Sequence, residues 1–137
     1  MTRKASKRVS VPRPRGQDYC AVADSFFNGA EVAKDFEYWN AAGVLIVHAA
    51  IAYTDALTIK FGGVRSKGED HMAAADLLRQ VARLDAEDLL QVRHFERIIN
   101  EKNRVSYEGE IFRRKDIEPL WKHLVRYREW ACGMIHG

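Results

Sequence analysis

Arg113, Arg114 and Lys115, together with Asn103, Arg104, Tyr107 and Phe112, make the one basic cluster in the body of this chain that has aromatic company. Guanidinium and ammonium groups hold phosphate, and aromatic rings stack on bases. Arg104, Tyr107, Arg113, Arg114 and Lys115 are therefore candidate contacts for RNA or a nucleotide. Glu108, Glu110 and Asp116 dilute the charge, and a solvated loop ahead of a helix is the competing reading.

His48 and Asp55 lie seven residues apart, two turns along one face of a helix, and with Tyr53 they are candidates for a buried polar network or a pocket lining. Gly62-Gly63-Val64-Arg65-Ser66-Lys67-Gly68 is glycine-rich and basic but lacks the Walker spacing, which leaves an anion at a helix N-terminus as its chemistry. His48, His71, His94, His123 and His136 show no i, i+4 pair, the cysteines are taken as far from them in sequence, and Cys20 and Cys132 sit near opposite ends of the body without CxxC spacing. No metal and no cofactor are expected unless the fold assembles distant ligands, and the cysteines read as small buried side chains.

These residues must be positioned by helices. Apolar residues from Asp18 to Tyr38 recur at spacings of three and four, through Val22, Phe26, Ala30 and Ala33. Asn40 opens the most apolar segment, which continues through Tyr53, Ala56, Leu57 and Ile59 to a stop at Gly62-Gly63, as the central helix of a bundle should. Its apolar run reads as too short to cross a bilayer, with His48 and Asp55 interrupting it, so no membrane span is expected. A polar connector then leads to a helix with Met72, Ala75, Leu78 and Val81. Asp85 can cap a fourth helix bearing Leu89, Val92, Phe95 and Ile99. Asn103 to Lys115 reads as a long ordered loop. Asp116 can cap a last helix, with Pro119 in its first turn and a stripe of Ile117, Leu120, Trp121, Leu124, Tyr127, Ala131 and Met134. No internal repeat and no strand is expected. The prediction is an all-α antiparallel bundle of four to five helices. Phe27, Tyr127 and Trp130 exceed what so small a bundle is expected to bury, which points to a dimer.

The chain of 137 residues has room for one domain, with 47% hydrophobic and 30% charged residues. Its net charge of +3 is unevenly placed. Arg3, Lys4, Lys7, Arg8, Arg13 and Arg15 stand in the first 15 residues with no acid, leaving 16 bases against 19 acids in the rest. Residues 1–16 are expected to form a flexible basic tail, and residues 17–137 the bundle. The tail reads either as a polycation for RNA, DNA or an anionic surface, or as a leader that only adds solubility. No apolar stretch follows its charges before Asp18, so a secretory signal is not expected and a cytoplasmic location is.

Asn40-Ala-Ala-Gly-Val-Leu-Ile-Val-His48-Ala-Ala-Ile-Ala-Tyr53-Thr-Asp55-Ala-Leu57 resembles the second helix of HEPN domains, in which a small-residue helix packs at the bundle centre. His71 with Ala75 and Leu78 resembles that family's next helix, and Asn103-Arg104-Val-Ser-Tyr107 its loop before the last helix. The resemblance covers about residues 17 to 135. It implies a four- or five-helix bundle, commonly a homodimer, of a kind found in toxin–antitoxin, defence and RNA-processing systems. Some members are metal-independent endoribonucleases, in which an arginine holds the scissile phosphate and a histidine four to six residues on assists proton transfer. Arg65 and His71, with five residues between them, fit that spacing and are the candidate catalytic pair. They flank a different connector from the family's motif. Where the motif belongs, Arg104 has no histidine until His123, a departure from the active pattern. Two expectations follow. The first is a HEPN-like binding module, dimeric, that engages a partner protein, a nucleotide or RNA; the second is a metal-independent ribonuclease using Arg65 and His71.

Overall fold

Small side chains set the geometry of the first two helices. The computed structural model describes residues 7–68, 70–106 and 108–137; Arg3, Lys4, Glu69 and Tyr107 lie outside the described residues. Cys20, Ala23, Ala30 and Ala33 are the buried side chains of α1 (Gly16–Asp35) apart from its first glycine, and α2 (Trp39–Gly62) buries Ala42, Ala49, Ala50, Ala52 and Ala56. With so little side chain between them the two backbones approach closely along most of their length. α2 is the core of the molecule. It packs against α1, α3 (Met72–Val81), α4 (Ala86–Asn100), the short α5 (Lys102–Ser106) and α6 (Arg114–His136), and α6 also packs on α4. The result is the expected all-α helical bundle.

α2 ends where glycine is required. Gly63 adopts a left-handed φ of 65° and returns its amide to the Ile59 carbonyl at 2.9 Å. Gly62 meets the side chain of Val81 so closely that an added Cβ would lie 2.7 Å from its Cγ1. By length and hydropathy α2 does qualify as a membrane-spanning helix, against the expectation from its apolar run, but 72% of that apolar window is buried inside the fold. Helices on several sides already cover it.

A two-stranded antiparallel sheet was not foreseen. β1 (Lys7–Ser10) pairs with β2 (Val64–Lys67) in the register Val9 opposite Arg65 and Ser10 opposite Val64. Val11, buried, continues the pairing by donating its amide to the Gly63 carbonyl at 2.9 Å. Residues 7–16, read above as part of a flexible tail, are thus placed in β1 and in the 3₁₀ turn Arg13–Arg15 that leads into α1. The alternation is too short and too polar to announce a strand; backbone pairing, the buried Val11 and a hydrogen bond from Arg8 to Gln80 hold it.

The long connector before α6 is ordered by Asn40, whose side chain donates to the Glu110 carbonyl at 2.8 Å and accepts the Phe112 amide at 2.9 Å. Its first part is α5 rather than loop. α6 starts two residues before the expected cap, because the Asp116 carboxylate reaches back to the Arg113 amide at 2.8 Å. Pro119 consequently lies in the second turn. α4 begins as expected, with Asp85 and Asp88 capping each other's amides. The outer aromatics find partners within one chain: Tyr127 is fully buried, Phe27 stacks on Trp121 with ring centroids 4.8 Å apart, and Trp130 donates to Asp88 at 3.0 Å.

Candidate functional site

α4 and α6 pack side by side and carry facing polar rows along the seam. His94 on α4 and His123 on α6 meet there, Nδ1 to Nδ1, at 2.9 Å. One ring donates its Nδ1–H and the other accepts through Nδ1, the roles being set by the tautomer of each ring. Arg97, Lys122 and Arg126 line the hollow around the two rings with Pro119. Beyond His123 the groove widens to about 400 Å³ between Arg97, Asn100, Arg104, Lys115 and Asp116, and in the other direction it runs past Arg126 to Gln91, Glu129 and Trp130.

The electrostatics of this groove favour an anion. Burial lowers the pKa of both histidines, and the neighbouring charges of Arg97 and Arg126 lower them further. Among the described residues, Arg97, Lys115, Lys122 and Arg126 have no carboxylate partner. Lys122 and Arg126 stand one turn apart on α6, a like-charge spacing that costs the free chain a little and that a bound anion relieves.

The cluster Arg113-Arg114-Lys115 is divided by the start of α6. Lys115 faces the groove. Arg114 turns the other way, to Glu37 at 3.1 Å, Glu118 at 3.5 Å and the face of Trp39. Arg113 supplies the N-cap residue and is exposed. Arg104 is held by Glu101 at 2.5 Å and doubly by Glu110 at 2.8 Å, over the Phe112 ring, which makes it a clamp on the connector more than a free phosphate ligand. Tyr107 lies outside the described residues.

Arg65 stands on β2 and His71 at the N-cap of α3. The Arg65 side chain is tucked toward the body, its Nε buried without a hydrogen-bond partner, and its charge acts on Asp55. Burial pushes the Asp55 carboxyl up to about 7, an effect that Arg65 partly opposes.

His48, Tyr53 and Asp55 do not form one buried network. His48 is exposed and its ring lies 5.8 Å from that of Phe26. Tyr53 is buried and donates to Asp24 on α1, and Arg128 on α6 bonds both partners, at 2.9 Å to Tyr53 and 3.2 Å to Asp24. The seven-residue spacing does place His48 and Asp55 on one stripe of α2; the packing covers that stripe near Asp55 and leaves it open at His48. A second internal pair, Thr54 and Tyr127 at 2.6 Å, lies wholly in the core.

His94 and His123 are not among the candidate site residues that the sequence singles out. They are 29 residues apart, and nothing local couples them; the signal was a histidine on the polar flank of each of two amphipathic helices, one turn from an arginine in a row of bases. Comparison of the chain with protein-family models, curated proteins and solved structures finds no match in any of the three.

Proposed function

We propose that this chain is a HEPN-like binding module whose α4/α6 groove holds the phosphate backbone of single-stranded RNA. The observation that carries the reading is the His94–His123 pair set among Arg97, Lys122 and Arg126, which have no carboxylate partner among the described residues. Arg97, Lys122 and Arg126 make a pocket of positive potential, which a phosphate neutralises. Val22 and Val32 of α1 with Phe36 at its C-cap, more than 45% exposed at each residue, form the face on which we place self-association. Lys115 at one end and Trp130 at the other extend the groove past a single phosphate.

Anion binding raises the pKa of an imidazole, so affinity should increase as pH falls through the depressed titration range of the pair. The test is fluorescence anisotropy with labelled single-stranded RNA. Arg97→Gln with Arg126→Gln is expected to weaken binding roughly 10-fold or more, and each lost phosphate contact to flatten the salt dependence by about 0.7 in log–log slope. Binding that is unchanged in the double variant contradicts the proposal.

The same pair favours a second reading, a metal-independent ribonuclease in which one imidazole takes the proton of a ribose 2′-hydroxyl and the other protonates the leaving 5′-oxygen. It puts the acid–base pair at His94 and His123 in place of Arg65 and His71. Cleavage of an RNA panel in EDTA that is lost in His123→Ala supports it, and an intact panel rejects it.

A further inference from the structure

We propose that Cys20, Asp24, Cys132 and His136 bind one Zn²⁺ ion between α1 and α6. The four residues form two i, i+4 pairs, Cys20 with Asp24 on α1 and Cys132 with His136 on α6, so each helix offers two donors one turn apart on a single face. The two sulfurs and an Asp24 carboxylate oxygen all lie within 4.8 Å of one another. His136 Nε2 is 3.9 Å from Cys20 Sγ. Donors around tetrahedral Zn²⁺, at bond lengths of about 2.0–2.3 Å, stand roughly 3.4–3.8 Å apart, so ligation asks for side-chain shifts of about 1 Å.

The surroundings suit a metal. Tyr53 and Arg128 both bond Oδ1 of Asp24, which orients the carboxylate and directs Oδ2 to the metal as an outer shell does. Two thiolates and a carboxylate around Zn²⁺ leave one net negative charge, and Arg128 lies beside it to offset it. Lys60 donates to the carbonyls of Met134 and Ile135, fixing the last turn of α6 where His136 stands. Cys20 is buried, Asp24 and Cys132 are half-buried and His136 is exposed, which gives the ion a route in from solvent. Two sulfurs, one nitrogen and one oxygen select a borderline ion over Mg²⁺ or Ca²⁺. The sequence expectation of no metal held only while distant ligands stayed apart, and the fold brings them together. Cys132-x3-His136 was the local signal.

The test is titration of the reduced, metal-free full chain with Co²⁺. One equivalent should produce thiolate-to-metal charge transfer and the intense visible bands of tetrahedral Co²⁺, and one equivalent of Zn²⁺ should erase both. His136→Ala, at an exposed position, leaves the fold intact by circular dichroism and is expected to weaken Co²⁺ binding about 10-fold or more. Cys132→Ser should remove much of the charge-transfer intensity. A weak octahedral spectrum, or bands that survive Cys132→Ser unchanged, would overturn the proposal. So would a reduced chain that takes up no metal and reoxidises to a Cys20–Cys132 disulfide.

Discussion

Asp55 shows how one carboxyl couples stability to pH. Its pKa in the folded chain is about 7, raised chiefly by burial, against 3.8 for the free side chain. A carboxyl with a raised pKa contributes its full share below the unfolded value and loses it as pH rises through the folded one. Stability attributable to Asp55 therefore falls between about pH 4 and pH 7. His94 and His123 act in the opposite sense, since their depressed pKa values favour the folded chain more as pH rises toward 6.5. Because the two windows overlap, the wild-type profile alone does not separate them. Asp55→Asn should stabilise the chain at pH 8, by something on the order of 4 kcal/mol relative to its effect at pH 4, and thermal unfolding across that range checks it. An equal effect at both ends of the range contradicts the assignment. Spacing placed Asp55 and His48 on one stripe of a helix. Which end of that stripe is covered depends on neighbours far away in sequence, and so the network of His48, Tyr53 and Asp55 was not legible while its true members, Asp24 and Arg128, were invisible.

At the scale of elements, boundaries followed local chemistry where that chemistry was strong. The Asp85 and Asp88 box and the Gly62-Gly63 stop are visible in the residues themselves. Asp116 misled by two residues because a carboxylate three positions into a helix caps as well as one at its start. β1 was missed for a different reason: four residues that pair through their backbones leave almost no pattern in side-chain type. Gly62 carries an element-level prediction. Alanine is favoured over glycine within a helix by about 1 kcal/mol, yet a Cβ here would press into the β-branched Val81 of α3, which has little freedom to withdraw. Gly62→Ala should destabilise by roughly 1–3 kcal/mol, and a Val81→Ala background should recover most of the loss in denaturant titrations. A stabilised Gly62→Ala would show that α2 and α3 are less tightly docked than this geometry requires.

For the whole molecule, helix periodicity was enough to give the all-α class and the central place of α2, because both rest on apolar spacing. The groove was not legible, because it is a product of assembly. His94 and His123 meet only when α4 docks on α6, and Lys115 joins them only because α6 begins where it does. The mildly acidic body seemed to argue against a phosphate site, but net charge averages over faces, and the groove sets Arg97, Arg104, Lys115, Lys122 and Arg126 against Glu101, Asp116 and Glu129. We propose this groove as the anion site. Its most direct test is a histidine ring NMR titration of the full chain with a short single-stranded RNA. The account predicts that the His94 and His123 ring signals shift and their titration midpoints rise, while the His48 ring signals do not move. Unperturbed His94 and His123 rings, with changes gathered instead around Arg65 and His71, would contradict it.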